Sequence, residues 1–181
     1  MNLIDYFNKA LTMNDYMPLL GDQLALHQHH YKRARITGFE QEELPELKIL
    51  FITEPWCIDS TALLPVLQKF FENKNAEIRI ALRDRNPDLM ERFLTNGGRA
   101  IPVIIVLDKE GNYLFRMGPR PQAAQTMFER YRPLIEQGKM EKREVVKKIR
   151  QFYARDRGQS LLTELVDHLK KSIKKLSNRQ R

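Results

Sequence analysis

The sequence predicts an α/β fold built on a central four-stranded mixed sheet. Three observations carry this. Segments of strand length occur at 47–53, 77–82 and 101–107, the first and third of them largely apolar. A helical pattern of Leu63, Leu64, Val66, Leu67, Phe70 and Phe71 lies between the first two. A glycine-containing turn at 108–112 sends the third run back as a fourth strand, 113–116. The order is β-α-β, a helix, a β-hairpin and a helix. An N-terminal helical extension (1–45) precedes this domain (46–138), and a basic pair of helices (139–181) packs on it.

Taken in order, residues 2–12 carry Leu3, Ile4, Phe7, Ala10 and Leu11 at helical spacing. Asn14 or Asp15 is placed to cap a short segment through Leu20, and Asp22 to open a helix holding Leu24, Leu26 and Tyr31. This third of the chain has no strand signal. The run at 47–53 is apolar on both faces, as a central strand is. Pro55 ends it, and a helix over 59–72 follows with Pro65 inside. The strand at 77–82 closes a right-handed parallel βαβ unit. Asn86-Pro87-Asp88 starts a helix whose inward residues are Leu89, Met90, Phe93 and Leu94, ended by Asn96-Gly97-Gly98. After the hairpin, helices are expected over 122–136, 141–155 and 160–176. The last two turn inward Val145, Val146, Ile149, Phe152 and Tyr153, then Leu161, Leu162, Leu165, Val166, Leu169, Ile173 and Leu176.

With 181 residues, 42% hydrophobic residues and nine phenylalanines, the chain reads as globular rather than disordered. No apolar run approaches the ~20 residues that span a bilayer. Met1-Asn2-Leu3-Ile4-Asp5 lacks the basic-then-apolar pattern of a secretory signal. A single cysteine cannot form an internal disulfide, which fits a reducing compartment and places the protein in the cytoplasm. Residues 139–181 carry fourteen Lys/Arg against five Asp/Glu, a formal +9, leaving −1 for residues 1–138. The basic character therefore belongs to the tail. Lys170, Lys171, Lys174 and Lys175 lack aromatic interleaving and any groove-reading motif, which argues for a solvated helix face over nucleic-acid contact.

The stretch Thr53-Glu54-Pro55-Trp56-Cys57-Ile58-Asp59-Ser60 holds the only cysteine and the only tryptophan, at a strand-to-helix junction. Trp56-Cys57-x-x-Ser60 after the first strand, with Ile101-Pro102 opening the third, resembles the thioredoxin fold. Leu82-Arg83-Asp84-x-Asn86-Pro87, Leu94-Thr95-Asn96-Gly97-Gly98-Arg99-x-Ile101-Pro102, Gly118-Pro119-Arg120-Pro121 and Tyr153-Ala154-x-Asp156-x-Gly158-x-Ser160-Leu161 extend the likeness over nearly the whole chain. They resemble a bacterial branch of thioredoxin-like proteins that typically carries Trp-Cys-Gly-Asp-(Ser/Ala). Here Ile58 stands for the Gly, and its β-branched side chain narrows the approach to the thiol.

The candidate catalytic residues are Cys57, Ser60 and Pro102. A thiol at a helix N-terminus meets unpaired N–H groups and the macrodipole, which favour a thiolate. The alternative is a buried structural cysteine, but the resemblance implies exposure and an acidic thiol. Ser60 takes the place of a resolving cysteine and cannot form a disulfide. Its hydroxyl bonds either the Cys57 thiolate or only backbone. The resemblance implies a cis peptide at Ile101-Pro102 facing the thiol, with the Ile101 backbone free to pair with a peptide or thiol tripeptide. The buried carboxylate that thioredoxins keep six residues before the cysteine is replaced by Phe51. Trp56, Ile58, Asp59, Arg99, Ala100 and Ile101 are the candidate substrate contacts, Trp56 as a half-buried cover and Asp59 otherwise as a helix cap. His27, His29 and His30 lack companion ligands and read as surface decoration, so no metal and no organic cofactor is expected.

Two functions fit. One is a monothiol thiol-disulfide oxidoreductase in cell redox homeostasis, Cys57 forming a mixed disulfide with a protein or low-molecular-weight thiol. The other is a non-catalytic binding module or redox sensor using the groove of Trp56, Ile101 and Pro102.

Overall fold

The computed structural model describes residues 1–40 and 42–179, with side chains through residue 175. Leu176, expected to point inward, lies outside the described side chains. The chain opens with α1 (Ile4–Lys9), a two-residue strand β1 (Leu11–Thr12) and α2 (Met13–Tyr16). A 3₁₀ segment (Met17–Gln23) and α3 (Leu24–Arg33) follow. The strand corrects the expectation of a wholly helical N-terminal third, because two residues are too few for alternation to register. The cap is also corrected. Thr12 caps α2 in a reciprocal box, its hydroxyl accepting from the Asp15 N–H at 3.2 Å and the Asp15 carboxylate from the Thr12 N–H at 3.3 Å. The next helix opens after Gln23 rather than at Asp22.

The main sheet is built from β2 (Leu47–Thr53), β3 (Ala76–Leu82), β4 (Val103–Asp108) and β5 (Tyr113–Met117). β2 runs parallel to β3 and antiparallel to β4, and β4 pairs antiparallel with β5. β1 adds antiparallel to the free edge of β3, Leu11 opposite Ile80, so the sheet has five strands in the order β1-β3-β2-β4-β5 rather than four. Helix α4 (Ile58–Phe71) crosses from β2 to β3.

Strand alternation divides the core in two. Leu47, Ile49 and Phe51 of β2, with Ile104 and Val106 of β4, face a cluster shared with α4 and the C-terminal helices. Leu50 and Ile52, with Val103, Ile105 and Leu107, face a smaller cluster under α1 and the short helix α5 (Pro87–Glu91). That helix ends before Phe93 and Leu94. Mutual 2.9 Å backbone bonds between Thr95 and Gly98, with Asn96 and Gly97 at positive φ, turn the chain sharply there.

Helices α6 (Gln122–Glu136), α7 (Lys142–Asp156) and α8 (Gln159–Arg179) complete the chain. Val145, Ile149 and Tyr153 are buried, while Val146 and Phe152 are only half-buried. Of the α8 stripe, Leu161, Leu162, Leu165, Val166 and Leu169 are buried and Ile173 is half-buried. At the α7–α8 turn Gly158 has φ 87°, and a Cβ there would lie 2.4 Å from Val66 Cγ1. Glycine thus lets the helix pair rest directly on α4. Among the described residues no helix is long and apolar enough to cross a membrane.

Candidate thiol site

The β2–α4 junction fixes the thiol. Pro55 follows the strand, and the Cys57 N–H bonds the Glu54 carbonyl at 3.0 Å, closing a tight turn. Cys57 is the N-cap of α4, and its carbonyl accepts from both the N–H and the hydroxyl of Thr61, each at 3.0 Å. Its Sγ donates to the Ile101 carbonyl oxygen at 3.7 Å. The Ile101–Pro102 peptide is cis, and so is Gly118–Pro119, which the sequence does not announce. A Cβ on Gly118 would lie 2.3 Å from the Pro102 carbonyl oxygen, so only glycine lets the 118–121 loop close against that proline.

Cys57 is only 6% exposed, which corrects the expectation of an exposed helix-start thiol. It packs with Ile52, Phe93, Ile101 and Val103 in the smaller core cluster. The expectation of an acidic thiol is corrected with it. Burial, the largest influence, pushes the thiol above its ordinary value. The Ser60 hydroxyl and the N–H groups of Ser60 and Asp59 pull the other way without overcoming it, and the Asp59 charge raises it further.

Ser60 is buried behind the thiol, its Oγ 2.5 Å from Thr53 Oγ1. Thr53 Oγ1 also donates to the Glu54 carbonyl at 3.2 Å. Ser60 thus bonds a second side chain, and its hydroxyl also favours the Cys57 thiolate, so it does more than bond backbone. Phe51 is fully buried, as an apolar replacement for a carboxylate must be. The buried Glu54 carboxylate nearby is engaged by the Asp84 N–H at 2.8 Å.

Asp59 is not a plain helix cap. It is buried, takes the Arg120 guanidinium at 2.8 Å and accepts from the Tyr153 hydroxyl at 2.7 Å. Arg120 in turn stacks 4.4 Å from the Phe128 ring centroid. One carboxylate thus ties α4 to α7 and to the loop before α6. Burial and the Asp59 charge raise the Tyr153 pKa, so the phenol is a fixed donor. Trp56 is not a half-buried cover either. It is 59% exposed, with the Arg83 guanidinium 5.2 Å over its ring.

Cys57 lies at the base of a cleft of about 430 Å³. Trp56, Ile58, Asp59, Arg99, Ala100 and Ile101 all line it, whereas Ser60 and Pro102 sit behind its wall. Arg83, Pro119, Arg120 and Phe128, together with Lys142, Val145, Val146 and Ile149 of α7, complete the lining, and the sequence assigns none of them a role at the site. Arg83, Arg120 and Tyr153 do stand inside the motifs that carry the family resemblance, a signal without a role attached. The α7 residues carried none beyond helical periodicity.

The histidines also need correction. His27 is buried and bonds Gln68 at 3.0 Å, and burial lowers its pKa. His29 is exposed, while half-buried His30 is lowered to about 4 by burial and its charged neighbours. Among the described residues no group of three His, Cys, Asp or Glu is placed to hold a metal ion.

A family model described as thioredoxin matches residues 11–132. No curated protein matches the chain. Among solved structures, an HIV epitope scaffold superposes with a TM-score of 0.63 at 21% identity, covering 85% of this chain and 96% of that one. A Pseudomonas aeruginosa protein of unknown function gives 0.61 at 20% identity with the same coverage. Identities this low speak to fold alone. The family match itself runs from β1 into α6, well over half of the 181 residues, and takes in both the thiol and the proline behind it. The chain belongs to the thioredoxin family.

Proposed function

We propose that the protein is a monothiol thioredoxin-like oxidoreductase whose Cys57 exchanges with low-molecular-weight disulfides. The observation that carries this reading is the placement of Cys57, the N-cap residue of α4, with its Sγ facing the Ile101 carbonyl at 3.7 Å in the lining of an open cleft. Deprotonated Cys57 attacks one sulfur of R–S–S–R′. The Cys57–S bond forms, the S–S bond breaks, and R′–S⁻ leaves with the electron pair and takes up a proton. An external thiolate R″–S⁻ then attacks the R sulfur, releasing R–S–S–R″ and returning Cys57 as thiolate. Ser60 cannot perform that second step. A small partner is favoured over a folded client because α7 walls one side of the cleft with Val145, Val146 and Ile149. A lone cysteine with no disulfide partner suits a reducing compartment, and we place the exchange in the cytoplasm.

The test is intact-mass measurement of reduced protein incubated with hydroxyethyl disulfide. A single mercaptoethanol adduct is expected, reversible by dithiothreitol and absent from Cys57→Ser. If the folded protein stays unmodified while the urea-unfolded chain reacts, the exchange reading is wrong.

The burial of Cys57 and the exposure of Trp56 favour a second reading, a binding module whose thiol is silent or regulatory. On that reading, Cys57→Ser retains every partner captured by the wild type.

A further inference from the structure

The cleft over Cys57 has a charge pattern that the exchange chemistry does not require. Four cations, Arg83, Arg99, Arg120 and Lys142, line it against a single carboxylate, Asp59. That is a formal excess of three positive charges. They are not equally committed. Arg120 is held by Asp59 in the wall. Arg83 and Arg99 pair with Asp84 and Glu91, carboxylates that do not line the cleft and are more than half and half exposed respectively. The Arg99 pair is exposed on both sides and therefore weak, so an incoming anion competes for that guanidinium at little cost, whereas Arg83 is only 21% exposed, holds Asp84 through two nitrogens and stacks on Trp56. Lys142, at the first position of α7, makes no ion pair among the described residues. The opposite wall is apolar, formed by Phe128, Val145, Val146 and Ile149.

We infer that the thiol exchanged at Cys57 is anionic: a carboxylate-bearing low-molecular-weight thiol, delivered as its disulfide. This rests on the exchange reading above and names its substrate class. The sulfur reaches the Cys57 floor, a carboxylate is taken by Arg99 and Lys142 at the mouth, and the ligand's carbon skeleton lies on the α7 wall. The volume, about 430 Å³, sits in the range of small-ligand sites and is too small for a folded partner to enter.

The experiment compares three symmetric disulfides of similar size: dithiodipropionate (anionic), hydroxyethyl disulfide (neutral) and cystamine (cationic). Each second-order rate of adduct formation is divided by its rate with a cysteine tripeptide, which removes intrinsic reactivity. At low salt the normalised anionic rate should exceed the cationic one by about tenfold or more, the scale at which a one-sign cleft concentrates its counter-ion. The ratio should shrink towards one as salt rises, and again in Arg99→Glu and Lys142→Glu. Both sites are solvent-exposed, and retained far-UV circular dichroism confirms folding. Equal normalised rates overturn the anionic assignment and leave the exchange reading standing. A preference unchanged in both variants overturns the assignment of Arg99 and Lys142. No adduct with any of the three overturns both.

Discussion

Replacing Arg120 by Met tests the claim that Asp59 is a buried charge held by specific partners. The Asp59 and Arg120 side chains are only 10% and 20% exposed, and their 2.8 Å contact is the direct ion pair at the carboxylate. Removing one member of a desolvated pair costs about 3–5 kcal/mol, because the other charge stays behind. The Tyr153 hydroxyl still donates to Asp59 at 2.7 Å, which puts the expected loss at the low end, about 3 kcal/mol. Roughly 1 kcal/mol of this belongs to the lost stacking of the guanidinium on Phe128, 4.4 Å away. In an Asp59→Asn background no stranded charge remains, so Arg120→Met should then cost only about that 1 kcal/mol. The double-mutant cycle should therefore return a coupling of about 2 kcal/mol. Urea unfolding followed by tryptophan fluorescence reads this directly. With a slope of about 2 kcal/mol/M, the single variant's midpoint falls by about 1.5 M. A loss below about 1 kcal/mol, or a coupling near zero, would mean that water solvates the pair and that Asp59 does not tie α4 to α7.

Two further outcomes follow. Iodoacetamide labelling of Cys57 should rise with pH and reach half its plateau above 9, since burial raises the thiol and only a thiolate reacts; in Asp59→Asn the midpoint should move down, and a wild-type midpoint below about 8 would remove the basis for a desolvated thiol. Gly158→Ala should destabilise by more than about 2 kcal/mol, because its Cβ meets Val66 Cγ1 at 2.4 Å on a backbone with φ 87°; Val66→Ala should return part of that loss in the double variant, and a harmless Gly158→Ala would show that the helix pair is not seated on α4.

The sheet was legible because its central strands, β2 and β4, are apolar on both faces: the first run, 47–53, coincides with β2 to the residue. β1 was not, since a two-residue strand has no period and forms only because β3 offers it an open edge. At the site, local chemistry was legible and burial was not. Trp56-Cys57-x-x-Ser60 located the thiol, but its pKa depends on Phe93, Ile101 and Val103, which come from other elements. Asp59 read as a cap because i-to-i+3 relations are visible in a sequence, whereas partners at Arg120 and Tyr153 are 61 and 94 residues away. His27 read as surface for the same reason, its partner Gln68 being forty-one residues off.

A desolvated thiol changes what the rest of the site must do. Even at the ordinary value of 9.0, only about one per cent of Cys57 would be thiolate at pH 7, and burial lowers that share. Each thiolate that does form is more nucleophilic, but the gain recovers less than half of the loss on a logarithmic scale. On the exchange reading, Cys57 should therefore react slowly with arbitrary disulfides in solution. A ligand held in the cleft escapes this limit, because positioning raises its effective concentration at Sγ far above its bulk value. On the exchange reading proposed above, the cations supply that hold for an anionic ligand. The tie from Asp59 to Tyr153 has its place here. It keeps α7, and with it Val145, Ile149 and Lys142, seated beside the Cys57 cleft, where the proposed exchange would depend on what is bound there.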